Sequence, residues 1–172
     1  MSLLDRFMGQ PGSDDSEADS LVNLALENPP SYVVLFPEAL DLDADALTHD
    51  LRAYHPSLAR ANTELMNVTI DDAPPGEGTS LLGRAGWAQP VVKLVGFDAP
   101  IPPQLFEACV RPAHFDSELK IDAQRHQSHI LLYYAGRERD PLEQYVALTV
   151  VAAALARFGA LLLLNENARS AF

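Results

Sequence analysis

The longest apolar run of the chain covers residues 146–164, close to its C-terminal end. The residues before it match a helix start. Asp140 can cap the first turn, Pro141 suits the first helical position, and Glu143 can complete a capping box. Gly159 supplies the left-handed residue that commonly ends a helix. The pattern predicts a helix between Asp140 and Gly159, followed at once by a buried strand.

A membrane span is the alternative interpretation of the same run, because a span needs roughly 20 apolar residues. Arg157 and Gly159 fall inside the run, and much of it is alanine, which transfers weakly into lipid. A helix and a strand in a globular core are therefore the prediction. A helix that is apolar on nearly every side needs a sheet on one face and another helix or a second subunit on the other.

Shorter apolar segments, bounded by proline, glycine or aspartate, precede this pair of elements. They predict strands at residues 32–36, 64–70, 90–97 and 126–134. They predict helices from Asp41 or Asp43 to about His55, at residues 102–110 and at residues 117–124. Residues 71–86 are rich in proline and glycine, which predicts a long exposed loop.

The order of these elements indicates an α+β fold, because strands alternate with helices that cross over them. We expect a mixed sheet of about five strands with helices mainly on one face. The first six elements match the split βαβ pattern of ferredoxin-like domains. The sequence thus predicts a single α+β domain over residues 28–172.

Residues 1–27 are predicted as a flexible N-terminal segment. Its first nine residues are amphipathic but too short for a stable isolated helix, and residues 10–19 form an acidic, turn-rich tether. Two interpretations stay open for residues 1–9. They form either a frayed terminus or a peptide that docks in a groove or on a neighbouring molecule.

The net charge of the 172-residue chain is -12. Binding to phosphates needs clustered Lys and Arg, so this charge argues against nucleic acid and against anionic membrane surfaces as partners. The single cysteine, Cys109, excludes an internal disulfide and a cysteine-based zinc site. The N-terminus lacks the basic flank and apolar core of a secretory signal, so we expect a cytoplasmic protein.

His126 and His129 are the nearest approach to a metal-ligand pair. Residues three apart share a face on a helix, but on a strand they point to opposite faces. Because the surrounding residues predict a strand, the two imidazoles are not expected to bind one metal ion. We expect no metal and no cofactor, with one of the two histidines at a cap or rim and the other half-buried, and we keep His126 as a candidate ligand-binding residue.

Polar residues follow the last predicted strand, at a sheet edge where sites commonly lie. Glu166 is the first candidate for chemistry, with His129 as its acid–base partner. Asn165, Asn167 and Arg169 are candidate ligand-binding residues. The alternative interpretation is a polar exit turn in which Arg169 pairs with a carboxylate.

Three stretches carry a resemblance to a known family: residues 92–102, residues 125–134, and the capped alanine-rich helix with the following Leu164-Asn165-Glu166. They resemble an uncharacterised bacterial family, domain of unknown function 4261, over about residues 32–167. The resemblance implies a compact α+β domain with a histidine-containing strand and a polar residue after the last strand, and it implies no activity. Members of that family continue further, so a site completed by their later segment is expected to be absent here.

The preferred function is a cytoplasmic, non-enzymatic interaction or regulatory module that forms a homodimer or binds a protein partner. The surplus apolar surface of the C-terminal helix and the tethered N-terminal peptide motivate this hypothesis. The alternatives are a small hydrolase or metal-dependent enzyme that uses Glu166 with His129, and small-ligand sensing on an uncovered sheet face. For a homodimer, we expect this helix or the adjoining edge strand at the interface. The small residues Ala147, Ala152, Ala154 and Ala156 would allow close approach about a two-fold axis.

Overall fold

A computed structural model describes residues 29–68 and 79–172 of the chain. Within these residues, seven strands form one sheet and four α-helices pack on it. The strands are β1 (Ser31–Phe36), β2 (Asn62–Asn67), β3 (Thr79–Gly86), β4 (Val91–Phe97), β5 (Ser128–Tyr134), β6 (Leu162–Asn165) and β7 (Ser170–Ala171). The helices are α1 (Ala44–Tyr54), α2 (Pro103–Cys109), α3 (Ser117–Gln124) and α4 (Pro141–Leu155). The predicted N-terminal segment, and residues 71–78 of the predicted loop, lie outside the described residues.

The α+β class is confirmed, but the sheet of the described residues is antiparallel rather than mixed. Its order is β2-β3-β4-β5-β1-β6-β7, so it has seven strands instead of the predicted five or so. The ferredoxin-like order is not confirmed. Three strands separate β1 from β2, whereas a split βαβ unit has one strand between the two that its helix joins. Short links join β3 to β4 and β6 to β7, and such links favour antiparallel neighbours.

Strand β3 lies in the stretch that the sequence assigned to an exposed loop. Glycine weakens a strand pattern, and this strand contains Gly83 and Gly86. A Cβ atom on Gly83 would lie 2.5 Å from Leu65 Cδ2 and 2.9 Å from the carbonyl oxygen of Glu64. Glycine is therefore what allows β2 to approach β3, and the residue that suggested a loop is required by the strand pairing.

Helices cover both faces of the sheet, where the sequence predicted helices mainly on one. Helices α1 and α4 pack on one face, against Tyr32, Val34 and Phe36 of β1 and Ile130, Leu132 and Tyr134 of β5. Helices α2 and α3 pack on the other face, against Val33 and Leu35 of β1 and Leu131 and Tyr133 of β5. The apolar runs of β1 and β5 are continuous because both of their faces are buried.

Helix α4 begins and ends where the sequence predicted. The carboxylate of Asp140 accepts a hydrogen bond from the backbone N–H of Leu142 (2.9 Å), and Gly159 adopts a φ of 87° after a final 3-10 turn. The capping box differs from the prediction. The backbone N–H of Asp140 donates to Glu138 Oε1 (2.9 Å), so Glu138 takes the place predicted for Glu143.

Replacing Asp140 with alanine is expected to lower the free energy of unfolding by about 1 kcal/mol, because the N–H of Leu142 loses its acceptor. Urea unfolding followed by circular dichroism measures this change. Glu143→Ala, in the first turn of the same helix, is the matched control and is expected to cost clearly less. Equal losses in the two variants would contradict the role of Asp140 as the N-cap.

The side of α4 that faces away from the sheet is only partly covered by the described residues. Helix α1 packs against α4, yet Leu142 is 68% exposed and Val146 is 47% exposed. The apolar run itself is divided at Gly159, whose left-handed conformation ends the helix. No helix in the described part of the chain is long and apolar enough to cross a membrane.

Candidate functional site

The side of α4 that the described residues leave exposed is the first candidate site. Its residues recur at positions that share one face of a helix, and we call them the α4 surface: Leu142, Val146, Thr149, Ala153 and Ala156. None of them carries a charge, in a chain whose net charge is -12. Such an uncharged line on an acidic protein is a feature of surfaces that bind other proteins.

The C-terminal half of the α4 surface borders a groove of about 260 Å³ between the helix and the last strands. We call it the α4 groove. Its helix side includes Thr149, Ala152, Ala153 and Ala156, and its strand side includes Leu161, Leu163 and Phe172. Phe172 is 64% exposed, and its backbone pairs with Leu163 through hydrogen bonds of 2.8 and 3.0 Å. Of the small residues that the sequence predicted to face a partner, Ala147, Ala152 and Ala154 are buried in the core, and only Ala156 lies on the α4 surface. The strand side was not predicted, because the pairing of Phe172 depends on tertiary structure.

The second candidate site is a cleft of about 770 Å³ where α2 meets the turn between β6 and β7. Its polar wall contains Glu166, Asn167 and Arg169, which the sequence predicted as site residues. The facing wall is formed by Pro102, Gln104, Leu105 and Ala108. Gln104 was missed because it is one of many polar helix residues, and only the packing of α2 brings it to this turn.

Hydrogen bonds within the β6–β7 turn hold the polar wall in place. Asn165 Oδ1 accepts from the backbone N–H of Ala168 (3.1 Å), and the carbonyl of Glu166 accepts from the N–H of Arg169 (3.2 Å). Arg169 has a φ of 48°, in the left-handed region that favours glycine. Asn165 is only 8% exposed, so its side chain supports the turn and does not line the cleft.

Cys109 lies fully buried on α2, beside the β6–β7 turn. Its Sγ donates a weak hydrogen bond to the carbonyl of Asn165 (3.9 Å). Burial raises the pKa of the Cys109 thiol above 9.0, the nearby Glu166 raises it further, and Arg169 lowers it. The thiol therefore stays protonated at neutral pH, which is typical of an unreactive core cysteine.

His129 is buried on the face of the sheet that α2 and α3 cover. Its Nδ1 donates to the carbonyl of Ala99 (2.6 Å), and its ring stacks on Phe97 with centroids 4.9 Å apart. Its Nε2 is buried without a hydrogen-bond partner. Burial lowers the pKa of His129 from 6.5 to about 4, against the raising effect of the Ala99 bond, and His126 lowers it slightly more. This histidine is neutral at physiological pH.

His126 lies outside the strand, which begins at Ser128, so the alternation argument does not apply to it. Its Nε2 accepts from the N–H of Ile101 (2.8 Å), which leaves Nδ1 protonated to donate to the carbonyl of Ala123 (2.7 Å). Burial lowers the pKa of His126, and the Ala123 bond partly opposes this. Both ring nitrogens of His126 are therefore hydrogen-bonded to the backbone. Among the described residues, no group of three or more His, Cys, Asp or Glu could hold a metal ion.

The structure does not bring Glu166 to His129. His129 pairs with Leu35 across β5 and β1, and Leu35 pairs with Leu162 across β1 and β6. Asn165, the last residue of β6, lies three residues beyond Leu162 and therefore about 10 Å further along the strand direction, and Glu166 follows it in the turn. The acid–base pair suggested by the sequence is therefore not assembled, whereas Glu166, Asn167 and Arg169 do share one cleft.

No protein-family model, curated protein or solved structure matches this chain. The resemblance to domain of unknown function 4261 accordingly stays an expectation from the sequence. The class of the molecule follows from its own geometry. It is an α+β protein whose described residues form an antiparallel sheet, with a polar cleft on α2 and an apolar surface on α4 that these residues leave exposed.

Proposed function

We propose that this protein is a non-enzymatic, cytoplasmic interaction module that self-associates through the α4 surface. The observation that carries the proposal is the exposure of Leu142 and Val146 (68% and 47%) on the same helix face that borders an apolar groove further along the helix. Burying apolar area contributes roughly 25 cal/mol per Å², so covering this surface favours association. The α4 surface itself contains no charged residue, so no ion must be desolvated at the centre of the contact.

An enzymatic function is the weaker alternative, because Glu166 lines the cleft on α2 without the histidine that was expected to act with it. Glu166 and His129 lie at different levels of the sheet. The one free ring nitrogen of His129 is buried, and the Cys109 thiol is both buried and protonated at neutral pH. A general base must come within hydrogen-bond reach of its substrate. Neither His129 nor Cys109 lines the cleft on α2.

The protein is expected to sediment as a homodimer at micromolar concentration, and Val146→Asp is expected to convert it to a monomer. The substitution places a charge in an apolar contact. Analytical ultracentrifugation measures both masses. Met66→Asp is the matched control, because Met66 is 60% exposed on β2, at the opposite sheet edge from β7, and should leave the dimer intact. A monomeric wild type, or a Val146→Asp dimer as tight as the wild type, would contradict the proposal.

Sensing of a small ligand is the second candidate function, and the cleft on α2 favours it. Glu166 and Arg169 supply opposite charges on one wall, and Leu105 and Ala108 supply apolar contact on the other. This combination suits a small zwitterion with an apolar part. A thermal-shift screen of free amino acids tests it. Stabilisation of the wild type that is lost in Arg169→Gln would support this function, and no stabilisation by any of them would oppose it.

A further inference from the structure

We infer that the partner on the α4 surface is a second copy of this chain, whose α4 packs antiparallel to the first about a two-fold axis at Thr149. The inference rests on the proposed function and specifies the geometry of its contact. Two-fold symmetric dimers are the commonest homo-oligomers, and in them the same surface of each copy forms the contact.

The α4 surface has a large half and a small half. Leu142 and Val146 precede Thr149, and Ala153 and Ala156 follow it at nearly equal distances. In an antiparallel pair centred on Thr149, Leu142 therefore faces Ala156 of the second copy and Val146 faces Ala153. Large side chains meet small ones on both sides of the axis. A parallel pair would set leucine against leucine and leave the alanines facing each other across a gap.

The α4 groove lies at the small half of the surface. Thr149, Ala153 and Ala156 belong both to the surface and to the groove wall. Its volume of about 260 Å³ gives the apolar side chains of the facing large half a place to enter. The groove and the exposed pair Leu142 and Val146 are thus complementary features of one molecule, brought together by the two-fold axis.

Thr149 is suited to burial at the axis. Its Oγ1 donates to the carbonyl of Tyr145 within the same helix (2.8 Å). A hydroxyl that is already bonded can lose contact with water without leaving an unsatisfied polar group. The polar residue at the centre of the surface therefore does not oppose the contact.

Charges at the two ends of α4 favour the antiparallel arrangement. Glu143 lies in the first turn, and Arg157 follows the last turn. Antiparallel packing brings Glu143 near Arg157 of the second copy, whereas parallel packing brings like charges together. Arg157 contacts Asp50 of its own chain at 3.1 Å but its side chain remains 70% exposed, so it is available to a second carboxylate. The helix dipoles also attract each other when antiparallel.

Cysteine cross-linking of the full chain tests this geometry. With helix axes about 8–10 Å apart, the two Cα atoms at Thr149 would be about 3.4–5.4 Å apart, a range that overlaps the separation a disulfide spans. The two Cα atoms at Leu142 would be about 21 Å apart, which it cannot. We expect Thr149→Cys to form a covalent dimer on mild oxidation. Leu142→Cys and Ala156→Cys are each expected to remain uncross-linked alone but to form a covalent heterodimer when mixed.

Wild type is the background control, because its only cysteine, Cys109, is buried. Thermal unfolding of each variant verifies that it is folded. If Leu142→Cys cross-linked on its own while Val146→Asp still abolished the dimer, the antiparallel geometry would be wrong. The proposed function would then still stand. A wild-type monomer that dimerises only after Leu4→Asp and Phe7→Asp would show that residues 1–9 occupy the α4 groove instead, and would also overturn the inference.

Discussion

Replacing Leu148 with alanine is expected to lower the free energy of unfolding by about 2–5 kcal/mol, the usual cost for a leucine removed from a core. Leu148 is 0% exposed and belongs to the core between α4 and the sheet, together with Leu47 and Ile130. The substitution loses buried apolar area and leaves a cavity that close-packed neighbours fill only in part. Because small domains are stable by about 5–15 kcal/mol, this loss is a large share of the total.

Leu142→Ala is the matched control for this prediction, because it makes the same change on the exposed side of the same helix. Leu142 is 68% exposed, so its cost is expected to stay within about 0.5 kcal/mol when the protein is dilute enough to be monomeric. Urea unfolding of both variants measures the difference. Similar costs at Leu142 and Leu148 would contradict the described orientation of α4.

Acidification is expected to destabilise the fold by on the order of 3 kcal/mol through His129 alone. The pKa of this histidine is lowered from 6.5 to about 4, chiefly by its burial. As the pH falls from 6.5 towards 4, the unfolded chain takes up a proton that the folded chain does not. The protonation of His129 therefore does not affect the free energy of unfolding above pH 6.5. Below that pH the free energy of unfolding falls progressively, down to about pH 4. The lowered pKa of His126 acts in the same direction.

Urea unfolding of wild type and His129→Gln, from neutral pH to about pH 5, measures this effect apart from the carboxyl groups that titrate at lower pH. The variant is expected to be less stable at neutral pH, because the stacking on Phe97 is lost, but to lose much less stability on acidification. His114→Gln removes an exposed histidine and is the control. If His129→Gln kept the full pH dependence of the wild type, burial of a neutral His129 would not be its cause.

The sequence by itself determined where the helices begin and end. Asp43 caps α1 by accepting from the N–H of Ala46 (2.7 Å), Asp140 caps α4, and Gly159 ends it. Each of these contacts joins residues within a few positions of one another, so the local chain contains all the information required. The same holds for the polar turn after β6, whose position follows from the end of an apolar run.

Tertiary structure alone decided how these elements meet. The continuous apolar runs of β1 and β5 do not show which residues pack on which face of the sheet. Gly83 suggests a loop from the sequence alone, and only its contact with β2 explains why a glycine lies in this strand. The distance between Glu166 and His129 depends on strand register, and the cleft depends on the packing of α2 against a turn far away in the chain. The physical reason is that strand pairing and core packing depend on the fit between distant segments, which periodicity within one segment does not specify.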